Sequence, residues 1–343
     1  MGIKVRYIIF SVAVILLISS CRNSGNGVSV PDISKINISL KMHRFEQDLF
    51  ADTLITSDQY EELQQRYPDF LRCYYENIMQ LGEWDSGADA SLAKLQGLIR
   101  YGGIRAASDS VQVAYPDLDY FTSDLEKLLK YYRYYRPDDS IPAFTTFVSE
   151  YAYGIVDCGP TIGIGLDLYL GKSFSFYPSI GIPNYLNARM ERDNILPGIA
   201  ATLAERLIGT VANTNSLLSN MILNGKKLYF EDLLLPETTD YLKIGFTKNQ
   251  EDWCKENEGE IWAFLNGEGM LFETSRMKFI KFISEAPSTP GLPPEAPGNI
   301  GSWVGWQIVR KYMKKTHSTL EELLKQADDQ VILHESNYKP RRK

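Results

Sequence analysis

Histidine is scarce in this chain of 343 residues: only His43, His317 and His334 occur, and no two of them lie four residues apart. A helical HExxH zinc motif is therefore excluded. Cysteine is nearly as rare, with Cys21, Cys73, Cys158 and Cys254, and no pair has the CxxC spacing of a zinc knuckle or dithiol redox site. A GxSxG nucleophile elbow and a Walker phosphate loop are also missing. Cationic excess is lacking: 36 Lys and Arg face 43 Asp and Glu, giving a net charge of −7. Nothing in that balance would neutralise nucleic-acid phosphates, so no nucleic-acid partner is expected. What is present is ordinary for a folded protein, with 44% hydrophobic, 12% aromatic and 23% charged residues. Wholesale disorder is thereby ruled out, and the length allows one large core or two modest ones.

The N-terminus carries an address. Lys4 and Arg6 precede the apolar run Tyr7 to Ile18, broken only by Ser11. As a helix this run would rise roughly 18 Å, short of the hydrocarbon thickness of about 30 Å, so it reads as an export signal and not as a span. It ends in Ile18-Ser19-Ser20-Cys21, the small-residue-then-cysteine pattern of a lipoprotein signal. Residues 1–20 are read as the signal peptide, Cys21 as the lipidated residue and 21–40 as a flexible Gly/Ser-rich tether. Residues 41–340 then form a single α+β domain. A diacylglyceryl group with an N-acyl chain gives stable membrane anchoring. No acidic run follows Cys21, so a periplasm-facing attachment is expected, with the outer membrane slightly preferred. The three remaining cysteines allow at most one disulfide, and the default reading makes them small buried hydrophobes.

Helical spacing covers residues 57–81, with Pro68 opening a second helix, and residues 91–100, where Gly102-Gly103 is read as a stop. A further helix over 117–136 ends before Pro137 and holds the run Tyr131-Tyr132-Arg133-Tyr134-Tyr135. These rings could form a flat platform for sugar, but at helical spacing half of them must pack inward. The pattern then becomes β over residues 144–149, 153–157 and 161–169, with Cys158-Gly159-Pro160 as a turn, which predicts a small antiparallel or mixed sheet. Alternating glycines in Ile162-Gly163-Ile164-Gly165 predict a strand pressed against other backbone, not a phosphate site. Helices resume over 183–190, 197–208, 213–227 and 247–264, the last with a Thr247/Gln250 capping box. Residues 285–301 form a Pro/Gly-rich loop before a final helical pair, 303–313 and 318–325.

A sheet followed by crossing helices is the element order of zincin-type metallopeptidases. In Ala204-Glu205-Arg206-Leu207-Ile208 the places of the two zinc histidines are taken by Ala204 and Ile208, and Glu205 lies opposite the apolar Ile199/Leu203/Leu207 face. Glu205 is thus expected at the surface, and no metal or other cofactor is expected. Asp157 and Asp167 on neighbouring strands could serve as an acid/base pair for glycoside hydrolysis.

Several stretches together resemble the GldB family of Bacteroidetes gliding motility lipoproteins. They are Arg44-Phe45-Glu46-Gln47-Asp48-Leu49-Phe50, Gly163 to Gly171, Gly225-Lys226-Lys227-Leu228-Tyr229, the Trp253 to Trp262 segment, Gly301-Ser302-Trp303-Val304-Gly305-Trp306, and Ser336-Asn337-Tyr338-Lys339-Pro340. The resemblance implies an envelope protein tied to gliding machinery, with a zincin-like fold that has lost its metal ligands. The place of a third ligand is taken by Asn224, next to Gly225 and the cation Lys226. The resulting expectation is a non-catalytic, pseudopeptidase-like binding or assembly factor that meets a protein partner, by strand addition or through an old cleft holding Asp167, Glu205, Asn224 and Lys226. The Pro-rich loop and a turn at Gly225–Tyr229 would border that cleft. The alternatives are a zinc-independent peptidase or glycoside hydrolase, and a glycan-binding lipoprotein.

Overall fold

The computed structural model describes residues 30–85, 89–209, 215–267 and 269–341. Cys21 and the signal segment lie outside the described residues. Strand β1 (Met42–Arg44) leads into α1 (Phe45–Leu49), α2 (Ser57–Arg66) and α3 (Pro68–Cys73), and a single π turn over Tyr74–Ile78 extends the last. Thr56 starts α2 with a full capping box to Gln59, and Pro68 occupies the first turn of α3, as its fixed φ and missing N–H favour. Then come α4 (Asp89–Arg100), α5 (Gly102–Ala114) and α6 (Asp119–Tyr135). Helix α4 ends at Arg100, where the Gly102-Gly103 stop predicts, and the same glycines then open α5. A Cβ on Gly103 would stand 2.3 Å from Glu150 Oε1 and 2.7 Å from the Tyr101 ring, both of them exposed side chains that would have to turn aside.

Strands β2 (Ala143–Phe147), β3 (Ile155–Cys158) and β4 (Thr161–Gly165) complete a four-stranded sheet in the order β1-β2-β4-β3. The sheet is mixed: β1 pairs with β2 and β2 with β4 in parallel, while β3 and β4 form an antiparallel hairpin. The sheet is not wholly antiparallel because β4 returns beside β2 in the same direction, with β3 on its far side, and β1, three residues long and too short to show a period of two, adds a second parallel pair. The β4 glycines do sit under close neighbours. At Gly165 a Cβ would lie 2.0 Å from the Tyr153 carbonyl oxygen, and at Gly163 it would meet the Phe147 and Phe70 rings.

Beyond the sheet, 3₁₀ turns at Leu166–Tyr169, Tyr177–Ile180, Asn184–Arg189 and Arg192–Asn194 lead to α7 (Ile195–Ile208) and α8 (Leu217–Leu234). The remaining helices are α9 (Asp240–Ile244), α10 (Lys248–Glu256), α11 (Glu258–Gly267), α12 (Arg276–Ile283), α13 (Ile300–Thr316), α14 (Leu320–Lys325) and α15 (Asp329–Ser336). The motif Gly225–Tyr229 is therefore no turn but the middle of α8. The fold is α+β and mainly helical.

Two hydrophobic cores share one helix. The first gathers the sheet, the N-terminal helices and α7, including Phe45, Phe70, Tyr74, Phe144, Phe147, Ile164 and Leu203. The second gathers the C-terminal helices around Trp303, Trp306, Phe279, Cys254 and Ile261. Helix α8 feeds both, with Phe230, Leu233 and Leu234 in the first and Leu217, Met221 and Leu228 in the second. Its contact with α13 is made backbone to backbone. A Cβ on Gly305 would lie 1.8 Å from the Met221 carbonyl oxygen, and one on Gly225 2.4 Å from that of Gly305. A charged knot locks the same helices together. Asp232 accepts from Lys243 Nζ (2.8 Å), Trp306 Nε1 (2.9 Å) and Arg310 Nε (2.7 Å), and Arg310 also reaches Asp240 (2.6 Å) while lying 3.7 Å over the Trp306 ring. Two carboxylates and two cations thus meet in a buried cluster whose charges cancel.

Cysteine usage departs from the buried-hydrophobe expectation. Cys73 at the end of α3 and Cys158 at the end of β3 form a disulfide that closes a loop of 85 residues, and among the described residues Cys254 is left free and buried. A covalent tie of this kind persists in an oxidising compartment.

Candidate binding cleft

A cavity of about 420 Å³ opens where the two cores meet, walled by α7, α8, α9 and the start of α13. The face that α7 turns to it comprises Asn194, Pro197, Gly198 and Ala201, three and four residues apart as helical geometry requires. Gly198 lets β3 pack down on α7 beside the opening, because a Cβ there would stand 2.8 Å from Ile155. Helix α8 contributes Asn224, Lys227, Leu228 and Glu231, and the far side is closed by Arg189, Ile244, Ile283, Asn299 and Ser302.

Most polar groups of this wall are already engaged. Asn224 Nδ2 donates to Ser302 Oγ at 2.7 Å. Lys227 Nζ pairs with Glu205 at 2.5 Å, and Arg189 pairs with Glu285 and donates to the carbonyl oxygens of Gly245 and Ile244. Glu231 is the exception: it is 3% exposed and its Oε2 has no hydrogen-bond partner. Burial pushes the Glu231 carboxyl well above the usual carboxylate range; the nearby Lys243 opposes that shift and Asp232 adds to it. Asn299 Oδ1, at the mouth of α13, is likewise buried without a donor.

The residues singled out from sequence fall in different places. Asn224 lines the cavity. Glu205 stands at the surface, with its side chain 54% exposed and tied to Lys227. Lys226 does not line the cavity; it is buried against α14, where its Nζ donates to the Gln326 carbonyl oxygen at 2.7 Å, and burial lowers its pKa. Residues Lys226 and Lys227 are neighbours on a helix and leave α8 about 100° apart, so that here one is turned to Gln326 and the other to the cavity. Asp167 also lies elsewhere, fully buried at the end of β4, where its Oδ2 accepts from the backbone N–H groups of Ser149 (3.0 Å) and Tyr151 (2.6 Å). It secures a turn in which Glu150 and Tyr151 both take positive φ, at 56° and 66°. Burial outweighs those two donors and raises the Asp167 carboxyl to about 7.

Asp157, unlike Asp167, is held in an ion pair. Arg206 holds Asp157 through both carboxylate oxygens at 2.8 and 2.5 Å. Desolvation would raise the Asp157 carboxyl, yet Arg206 and the Gly159 N–H keep it below the usual value. The tyrosine run gives no flat platform: Tyr131 and Tyr132 are buried, and the Tyr134 and Tyr135 rings stand at 85° to each other.

The motif register examined in the sequence also points away from the cavity. Ala204 is fully buried in the first core, whereas Gly198 and Ala201 face the cavity. Neither of these carries a donor atom on its side chain. Among the described residues no group of three or more His, Cys, Asp or Glu is placed to hold a metal ion. The residues present therefore do not fit a zinc centre.

Sequence reasoning missed Glu231, Asn299 and Arg189. A Glu and an Asp side by side in the apolar end of α8, Phe230-Glu231-Asp232-Leu233, was the available signal, because adjacent acids inside a buried helix demand partners.

The architecture and the cleft define an α+β protein whose polar cavity lies at the junction of two cores. Residues 26–340 match the family model described as gliding motility protein GldB, and the chain belongs to that family. This makes it a gliding-motility-associated lipoprotein of the cell envelope. Comparison with curated proteins gives no match, and comparison with solved structures gives none. Among the described residues no helix is long and apolar enough to cross a membrane.

Proposed function

We propose that this protein is a non-catalytic binding or assembly factor, anchored at Cys21, that holds an envelope protein partner in the cleft between α7, α8 and α13. The observation that carries the reading is the cavity of about 420 Å³ whose α7 wall offers only Asn194, Pro197, Gly198 and Ala201. A hydrolase needs a nucleophile or an activated water beside a proton carrier. Here Glu205 is spent on Lys227 at the surface, Asp157 on Arg206 and Glu285 on Arg189, and Asp167 is buried beneath its own turn, so that Glu231 stands in the cavity lining without a second free carboxyl. Pockets of this size with scattered polar groups suit recognition of a small protruding part of a ligand. The zincin-like relationship belongs to the same proposal: an antiparallel edge strand packed on a helix beside a cleft is the arrangement such an origin would leave.

Filling the cleft tests this. Ala201→Trp, on the exposed cavity-facing side of α7, is expected to leave the melting temperature and cellular abundance unchanged. It should abolish crosslinking from a photoreactive residue at Ile283 to the partner, and with it rescue of a strain lacking the gene. Peptide or glycan hydrolysis by the purified protein, lost on a single carboxylate substitution, would overturn the proposal.

A further inference from the structure

The charges lining the cleft can be matched one against another. Arg189 pairs with Glu285, Lys227 with Glu205, and Lys243, whose Nζ is fully buried, with Asp232 at 2.8 Å. Each cation on the wall is therefore already neutralised by a carboxylate. Glu231 alone among the charged groups of this wall makes no ion pair, and its Oε2 faces no donor. Farther along, Asn299 Oδ1 is a second acceptor without a donor. The unmet demand of the cavity is thus for hydrogen-bond donors and, at Glu231, for positive charge. A carboxylate or phosphate ligand would meet cations that are already paired, and it brings no donor for Glu231 Oε2 or Asn299 Oδ1. A neutral hydroxyl would supply one donor and no charge. A protonated amine supplies three N–H groups and the missing charge.

We propose that the cleft is a receptor for a primary ammonium group, which binds to the Glu231 carboxylate. This rests on the reading of the cavity as a binding cleft. In the empty cleft burial favours the protonated form of Glu231, against the pull of Lys243 on α9 and with the support of Asp232 on α8. Arg189 and Lys227 line the same space, each held by its own carboxylate. When the ammonium enters, Glu231 gives its proton to solvent and the new ion pair replaces the O–H bond, so one proton is released for each amine bound. The shared chemistry fits a free diamine or a lysine side chain of a partner protein.

The experiment is titration calorimetry of the detergent-solubilised full chain near neutral pH, in two buffers of different ionisation enthalpy. Five probes are compared: cadaverine, Nα-acetyl-lysine methylamide, and, as controls of matched length, glutarate, pentanediol and Nα-acetyl-norleucine methylamide. The two amines are expected to bind with release of about one proton, and the controls to bind at least about tenfold more weakly, the scale of a charge-assisted hydrogen bond. Tighter cadaverine identifies a free diamine as the ligand, and tighter lysine derivative identifies a partner's side chain. Glu231→Gln, an isostere of the protonated acid, should weaken both amines by about the same factor and abolish proton release while the melting temperature holds. Equal binding of glutarate or pentanediol, no binding of either amine, or amine binding without proton release would overturn the proposal. Loss of this proposal alone would leave the Ala201→Trp result standing, so the two failures are distinguishable.

Discussion

At the scale of single residues, this chain keeps several carboxyl groups where water cannot reach them, and each is handled differently. Asp232 and Asp240 are matched by Lys243 and Arg310, Asp167 by two backbone N–H groups, and Glu231 by nothing among the described residues. Asp167 gives a direct pH test. Its carboxyl is raised from 3.8 to about 7 in the folded state by burial. The folded protein therefore binds a proton that the unfolded chain has released between those values, and stability falls as pH rises from about 4 to 7. Asp167→Asn keeps an oxygen for the Ser149 and Tyr151 N–H groups and carries no charge. The difference in unfolding free energy, variant minus wild type, should rise across pH 4 to 7 and level off above, as read from urea titrations at each pH. A flat difference would mean that Asp167 ionises in the folded state as it does in the unfolded chain.

At the scale of elements, the crossing of α8 and α13 decides how the two cores join. Glycine is costly inside a helix, about 1 kcal/mol relative to alanine, so its presence at Gly225 and Gly305 calls for a reason. The reason is contact: at Gly305 a Cβ would overlap the Met221 carbonyl carbon at 2.4 Å as well as its oxygen. Gly305→Ala should therefore destabilise the protein by about 1–3 kcal/mol, because the backbone must part to admit the methyl group. Gly97→Ala in α4 provides the contrast. Nothing lies within 4 Å of the added methyl, and the change should stabilise by about 0.5–1 kcal/mol. Chemical denaturation of both variants checks the pair. Stabilisation by Gly305→Ala would mean that the helices do not touch there.

At the scale of the whole molecule, the Cys73–Cys158 bond ties the helical N-terminal layer to the outer strand of the sheet. Replacing both cysteines by serine frees a closed loop of 85 residues in the unfolded chain. The expected loss is about 2–5 kcal/mol, seen as a lower urea midpoint and reproduced in wild type by reductant. An unchanged midpoint would mean that the bond does not form in the purified protein.

Sequence alone determined the helices with strong caps and clear apolar spacing. The Thr56 and Thr247 capping boxes, the helix opened by Pro68 and the long helix before Pro137 all stand where local chemistry places them, because their signals lie within a few residues of one another. The β hairpin around Gly159-Pro160 was legible for the same reason. Family membership was legible too, since it rests on motifs spread in order along the chain. Tertiary structure alone decided the parallel pairing of β1 with β2, the choice between cysteine partners, and the cleft. Asn224 could be singled out from its neighbours in sequence, but Glu231 became a site residue only because α7, α9 and α13 enclose it. Lys226 and Asp167 left the cleft for the converse reason: their surroundings are set by Gln326, Ser149 and Tyr151, partners brought up by the fold from beyond the reach of a local pattern. Local pattern reports which face of an element is apolar; it does not report what the opposite element carries, and a binding site is made of both.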